Sequence, residues 1–310
     1  MARKRRGQPI HGWISVDKPE GRTSAQVTAQ VRKLLDAAKA GHGGTLDPIA
    51  TGVLPIALGE ATKTVSYVMD GKKRYRFTVR WGEERSTDDR EGEVTSQNDH
   101  RPDQEEILAV LPEFVGVIEQ VPPNFSAIKV DGKRAYKLAR AGEEVSIAKR
   151  QVEIAEFSLV SILDRDNAVF EVSCGKGTYI RSLARDMARR LNTVGHVAEL
   201  RRTQCGPFSE NVSISLESLE TLVHSAPPSA YLLAVETALD DIPALALSAD
   251  QADHLRHGRP VRTQDLGGHS LIDTGSLVEG DVLCAKADGQ PVALARFVSG
   301  EIRAVRVLNI

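Results

Sequence analysis

Residues 73–82, KRYRFTVRWG, alternate with a period of two: Tyr75, Phe77, Val79 and Trp81 fall on one side, Arg74, Arg76, Thr78 and Arg80 on the other. Only an extended chain separates neighbours in this way. The segment therefore predicts a half-buried strand with a basic outer face, and such a strand needs a sheet to lie in. Helical periodicity surrounds it. In TSAQVTAQVRKLLDAAKA, 23–40, Val27, Val31, Leu34 and Leu35 form one apolar stripe, with Thr23 or Ser24 as cap. Residues 167–193, NAVFEVSCGKGTYIRSLARDMARRLNT, read as strand, glycine turn and helix, with Ile180, Leu183, Met187 and Leu191 buried. Strands and helices mixed in this manner predict an α+β chain.

Other segments complete the outline. HGWISVDKPEG reads as a short strand running into a turn, and RPDQEEILAVLPEFVG as a helix from near Pro102 to just before Pro112. GEERSTDDREGE reads as an acidic turn or loop. Residues 121–150 are basic and turn-rich, with a VDGK turn and a short helix ended by Gly142, and suggest a mobile substrate-gripping insertion. Composition shifts towards Pro, Ser and Ala at 225–245. Residues 246–310 then read as short strands, with Asp288-Gly289 at a hairpin turn. Pro291 predicts that the following strand lies at an edge. The chain thus divides into 1–245 and a small β-barrel-like domain at 246–310.

Net charge is −2, but it is unevenly spread: +9 over residues 1–80, −9 over 81–120, +5 over 121–202 and −7 over 203–310. A polyanion binds a local basic surface rather than an average, so the two basic blocks fit a nucleic-acid partner and the acidic blocks are expected to lie away from it. Residues 1–9 read as a disordered basic arm. No apolar run approaches the ~18 residues of a membrane helix. Three scattered cysteines form neither a disulfide framework nor a metal pattern, and predict a reduced, cytoplasmic protein. No coiled-coil pattern argues for assembly, so a monomer is expected.

The chemistry centres on GHGGTLDPIATGVLP, 41–55, where Asp47 is the single carboxylate. A residue before proline is pushed out of the α region, so Asp47 is presented from a stiff, extended loop. An Asx-type turn is the alternative. Arg181 lies in the first turn of a helix, where a cation is disfavoured unless an anion compensates it. An arginine beside a carboxylate favours the ionised form that a carboxylate nucleophile needs. Tyr75 and Tyr179 could stack on a base or simply belong to a core. The absence of G-x-x-x-x-G-K-[ST], G-x-G-x-x-G and G-x-S-x-G motifs leaves no signal for a nucleotide cofactor or a serine hydrolase.

VDKPEGRTS, GHGGTLDPIATGVLPIALGEATK, KRYRF, PPNFSAIKVDGKRAYKLARAGEEV, CGKGTYIRSLARDM and ELRRT fall in one order that resembles the bacterial tRNA pseudouridine synthase B family. The match runs along nearly the whole chain and is least distinctive over the last 65 residues. The resemblance implies a pseudouridine synthase fold, with a mixed, mostly antiparallel sheet flanked by helices, followed by a PUA-like RNA-binding domain. It implies isomerisation of uridine 55 in the T-loop of tRNA, with the base flipped out. That change is redox-neutral, so neither cofactor nor metal is expected. It makes Asp47 the nucleophile, Tyr75 the ring that stacks on the base with a part in proton transfer, and Arg181 the partner of Asp47. His42, Tyr179 and Leu200 fall on positions lining the uridine pocket. Lys18 falls in the D-K-P motif that supports the catalytic loop, and is also counted among the substrate-binding residues. Gly43 departs from the family's usual Thr, which suggests a freer loop. Two alternatives stand beside this reading: a non-catalytic tRNA-binding or folding module, and a synthase acting on another RNA.

Overall fold

The computed structural model describes residues 7–126, 128–130, 132–143, 145–266 and 276–310. The strands up to residue 209 are β1 (Gly12–Lys18), β2 (Ala40–His42), β3 (Thr51–Leu58), β4 (Lys73–Trp81), β5 (Glu83–Arg85), β6 (Val94–Gln97), β7 (Gly116–Gln120), β8 (Lys129–Val130), β9 (Lys133–Arg134), β10 (Arg150–Ile162), β11 (Asn167–Cys174), β12 (Gly195–Cys205) and β13 (Phe208–Ser209). Between and after them run α1 (Ser24–Leu34), α2 (Val65–Asp70), α3 (Gln104–Val110), α4 (Ala135–Arg140), α5 (Ile180–Arg190) and α6 (Leu216–Ser225). Nine strands form one sheet in the order β1-β3-β12-β4-β11-β10-β7, with β2 on β3 and β13 on β12. Every pairing in it is antiparallel except β12 with β3, where Arg201 meets Thr51 and Arg202 meets Gly52. The sheet is therefore mixed and mostly antiparallel, as expected. β12 lies between β3 and β4, which are consecutive long strands in the chain.

The alternation read at 73–82 sets the layers. Phe77, Val79 and Trp81 are buried in one core with Phe170 of β11 and the apolar faces of α1, α3 and α5. Phe77 and Phe170 stack with centroids 5.6 Å apart. The basic outer face is charge-paired rather than open: Arg76 meets Glu171 at 2.6 Å and Arg74 meets Glu156 at 3.4 Å. Trp13, Val53 and Ala57 point to the opposite face and join Val68, Phe208 and Val235 in a second cluster.

The first helix starts as expected, at a capping box between Thr23 and Gln26. It ends where the apolar stripe ends, at Leu35, and not at residue 40 as the 23–40 segment suggested. Asp36 adopts φ 47°, and the Asp36 and Ala37 amides donate back to the Lys33 and Arg32 carbonyls. This is a Schellman stop with Asp where Gly is usual. The freed segment becomes β2. The end of the supposed disordered arm is also held: Gln8 bridges Ala37. Residues 1–6 lie outside the described residues.

A second sheet takes up its first strand at Ala244. It comprises β14 (Ala244–Ala246), β15 (Val261–Arg262), β16 (Val282–Ala287), β17 (Gln290–Val298) and β18 (Glu301–Val307), with α7 (Ala249–Arg256) packed against it. Its order, β14-β16-β17-β18-β15, is that of a curled half-barrel. The strand after Pro291 is not at an edge, because β17 is central. Pro291 sits opposite Lys286 at a register shift, before the β18 pairing begins at Ala293, so its missing N–H costs no ladder bond. The two sheets are tied by the tail. Leu308 is buried in the Trp13 cluster, Lys63 donates to the Val307 carbonyl at 2.7 Å, and the Asn309 amide donates to Glu60 at 2.8 Å.

Candidate active site

The loop 43–50 is clamped from three sides. Arg202, fully buried on β12, donates from Nε to the Val53 carbonyl at 2.8 Å and from Nη2 to the Gly44 carbonyl at 3.0 Å. Ser24 at the start of α1 accepts from the Leu46 amide at 2.8 Å and donates to its carbonyl at 3.1 Å. Lys18 Nζ donates to the carbonyls of Arg22 at 2.6 Å, Pro19 at 2.8 Å and Pro48 at 3.2 Å. Gly52, at φ 98°, lets the chain pass where a Cβ would stand 2.2 Å from the Arg202 carbonyl. Asp47 is thereby presented from a rigid, non-helical backbone, as its place before Pro48 predicts.

Asp47 is 33 % exposed at the floor of a cleft of about 1160 Å³, and its Oδ2 lies 2.9 Å from Nε of Arg181, whose side chain is only 4 % exposed. The Nε–H is not aimed at the oxygen, so the contact is an ion pair without a well-aligned hydrogen bond. Arg181 opens α5 and is held by more than Asp47. Nη1 donates to the Thr87 carbonyl at 2.8 Å and lies 3.3 Å from Asp89, and Nη2 donates to the Phe125 carbonyl at 3.0 Å. The anion that a first-turn cation requires is thus present twice. Thr87, Asp89 and Glu91 line the cleft, so part of the acidic segment expected to lie away from a nucleic-acid partner sits at the site. A buried arginine needs counter-charges, and this segment carries them.

His42, Tyr75, Tyr179 and Leu200 line the same cleft as Asp47 and Arg181. Burial pushes the Tyr75 phenol up to about 12, against the pull of Arg202, so it stays protonated at neutral pH. Burial and then Arg202 hold His42 below the usual imidazole range, and its Nδ1 has no partner among the described residues. Tyr179 caps the cleft wall beneath the Arg150 guanidinium, 4.6 Å from its ring centre. Gln120 fixes the Tyr179 backbone with two hydrogen bonds, of 2.8 and 3.0 Å. Phe125, Ser126, Tyr136, Arg140 and Arg150 bring the 121–150 segment over the cleft.

Lys18 is the one residue of the expected set that does not line the cleft. It is fully buried and acts on backbone only. Burial lowers it to about 8, Asp47 pulling the other way. Its folded value lies below its unfolded one, so the unfolded chain binds more protons between about pH 8 and 10.5, and the contribution of Lys18 to stability rises across that window. The stability gap between wild type and Lys18→Met is therefore expected to shift in the wild type's favour by about 2 kcal/mol from pH 7 to 9.5. Urea unfolding at the two pH values checks this, and an unchanged gap counts against it.

Gly43 is not a point of freedom. A Cβ there would stand 2.6 Å from Cγ1 of Val68, and its amide and carbonyl are held by Pro55 and Cys205. Val68 occupies the space a side chain would take. Gly43→Thr is expected to cost about 1–3 kcal/mol by overpacking, with most of the loss recovered in Gly43→Thr/Val68→Ala. Thermal unfolding of the wild type and the two variants decides it; an equal loss in the double variant contradicts the steric account.

Arg202, Asp89 and Ser24 were not picked out as site residues by sequence reasoning. One signal was available for Arg202: neighbours on a strand face opposite ways, so one of Arg201 and Arg202 had to turn inward.

The fold is that of a pseudouridylate synthase. A family model described as TruB family pseudouridylate synthase (N terminal domain) matches residues 32–180, and one described as tRNA pseudouridylate synthase B C-terminal domain matches 181–240. The chain belongs to the TruB family of pseudouridylate synthases. It is 52% identical to tRNA pseudouridine synthase B of Rhodospirillum rubrum over 310 residues, all of both chains. It is 53% identical to the protein of the same name from Bradyrhizobium diazoefficiens, over 99% of this chain and 88% of that one. Among solved structures it resembles one of a Cbf5–Nop10–Gar1 complex (TM-score 0.76, 25% identity, covering 96% of this chain and 85% of that one). It also shares the fold of a chain from an H/ACA RNP bound to a substrate RNA containing 2'-deoxyuridine (TM-score 0.75, 23% identity, covering 100% and 92%).

Proposed function

We propose that this chain isomerises uridine to pseudouridine at position 55 in the T-loop of tRNA, with Asp47 as nucleophile. The observation that carries this reading is the carboxylate of Asp47 on the cleft floor against the buried Arg181, in a chain of this family. A base within a folded T-loop reaches that carboxylate only if it is flipped out, at a cost of a few kcal/mol recovered in pocket contacts. Tyr75 supplies a ring face and a phenol that donates at neutral pH. Tyr179, Leu200 and His42, which line the cleft, shape the slot for the nucleotide. Lys18 serves by fixing Pro48 rather than by touching substrate. The N1–C1′ glycosidic bond breaks and a C5–C1′ bond forms, C5 of uracil losing a proton and N1 gaining one, so the product is an isomer and no net oxidation occurs.

Residues 1–245 act as the catalytic domain, with 121–150 as an RNA-gripping insertion, and 246–310 as a PUA-like RNA-binding domain. The enzyme works as a cytoplasmic monomer without a cofactor. Release of tritium from tRNA carrying 5-³H-uridine tests the activity, since isomerisation replaces that hydrogen. Release is expected from wild-type tRNA and not from tRNA with cytidine at position 55. Folded protein that binds tRNA without release supports a binding module instead. Loss of pseudouridine confined to other RNAs in a deletion strain overturns the substrate assignment.

A further inference from the structure

The tip between β5 and β6 sends two consecutive carboxylates to two arginines one turn apart on α5. Asp89 meets Arg181, and Asp88 Oδ2 lies 2.9 Å from Nη1 of Arg185, with both of these side chains 11% exposed. Arg181 and Arg185 are four apart and share a helix face. Asp88 adopts φ 59°, a left-handed conformation that a non-glycine residue keeps only where its surroundings impose it. Arg185 also donates to the Val121 carbonyl at 2.9 Å, which Ser182 reaches at 2.8 Å. That carbonyl stands at the root of the 121–150 insertion. Arg185 thus ties together the acidic tip and the insertion, the two segments whose carbonyls at Thr87 and Phe125 hold Arg181. Neither Asp88 nor Arg185 lines the cleft.

We infer that the Asp88–Arg185 pair is a positioning pair for the reaction, holding the tip and the insertion root so that Arg181 stays set against Asp47. This rests on the function proposed above. A buried ion pair adds little net stability over apolar residues of the same shape, so its value here lies in placement. Burial pushes Asp88 up to about 6, against the pull of Arg185 and Arg181 on α5, with Glu84 of β5 adding to the rise. Asp89 is its neighbour in the tip, His196 of β12 is turned away onto the Glu83 carbonyl, and Asp186 of α5 shares Arg185, accepting from its Nε at 2.9 Å. An acid raised in this way is ionised above about pH 6 and loses its charge as pH falls through that value, so the pair is intact at neutral pH and opens on acidification.

The test is single-turnover tritium release at saturating tRNA by wild type, Asp88→Asn, Arg185→Met and Arg185→Lys, with tRNA affinity and thermal unfolding measured alongside. Asp88→Asn and Arg185→Met are expected to lower the rate per folded molecule about 10- to 100-fold, with tRNA affinity within about threefold. Arg185→Lys, which keeps a cation in reach, is expected to recover most of the rate. Between pH 7 and about 5 the wild-type rate should fall with a midpoint near 6, and Asp88→Asn should lack that limb. Wild-type rates in folded Asp88→Asn or Arg185→Met overturn the inference. If neither folds, the wild-type acid limb and Arg185→Lys still decide: no limb near pH 6, or no recovery by lysine, overturns it. Absence of release by the wild type itself overturns the functional reading and this inference together, whereas an active wild type matched by these variants sinks this inference alone.

Discussion

Asp47→Asn is expected to reduce pseudouridine formation by at least about 10⁴-fold while leaving tRNA affinity within about threefold. The substitution keeps the shape of the side chain and removes its charge. The hydrogen bonds that shape the loop do not come from that carboxylate: Arg202, Ser24 and Lys18 hold the backbone at Gly44, Leu46 and Pro48, and the charge of Asp47 bears on them only by helping to keep Lys18 protonated. Arg181 keeps Asp89 as a counter-ion and Thr87 and Phe125 as acceptors. Folding stability should therefore change by less than about 1 kcal/mol, as for an ion pair with one partner partly exposed to water. Tritium release and filter binding on the same preparation separate chemistry from recognition. Turnover within about a hundredfold of wild type removes Asp47 from the nucleophile's role. A parallel loss of tRNA binding would mean that the carboxylate shapes the loop after all.

Arg202→Met is expected to cost about 2–5 kcal/mol of stability, because it strips buried carbonyls of their donor. The side chain is buried among carbonyls of the very segment that carries Asp47. Nε serves Val53 at 2.8 Å and Nη2 serves Gly44 at 3.0 Å, with Thr45 more distant at 3.5 Å. Each acceptor left dry and unpaired costs about 1–3 kcal/mol. Methionine fills much of the volume and supplies no donor, so the loss reports the missing hydrogen bonds rather than a cavity. Gly52 adds to the rigidity of this site, because its backbone crosses too near Arg202 for any side chain to fit. Urea unfolding measures the cost, and a loss below about 1 kcal/mol would show that the loop finds other donors. In whatever fraction stays folded, turnover should fall at least tenfold, since Asp47 would then sample positions about 1 Å from the productive one.

Local pattern carried some elements and failed at others for identifiable reasons. The period-two run at 73–82 is the β4 strand, and the capping signal at Thr23 marks the start of α1. Pro48 correctly announced an Asp47 outside any helix. The end of α1 was hidden because its stop uses Asp36, a residue with no strong left-handed preference, where glycine would have announced it. Pro291 misled because the rule that excludes proline from central strands presumes a ladder bond at that position, and none is called for so near the hairpin turn. The meeting of Asp47 with Arg181 was not legible from spacing, since they lie on separate elements far apart in the chain. It came only from resemblance to the family. Asp88 and Asp89 read only as part of an acidic turn or loop, because burial of a charge is decided by the helix it packs against and not by its neighbours in sequence.

The place of β12 in the sheet bears on how the chain is made. β3 and β4 are synthesised early, one soon after the other, yet in the finished sheet they do not touch: β12, residues 195–205, runs between them. A growing polypeptide that has produced only its first hundred residues therefore exposes two strand edges reserved for a partner not yet translated. Such edges invite mispairing, and pairings this distant along the chain form slowly. Arg202 rides on the late strand, so the Asp47 loop cannot take its final form until that strand arrives. Assembly at the ribosome is thus expected to wait until about two-thirds of the chain has been made, with the early strands needing protection in the interval.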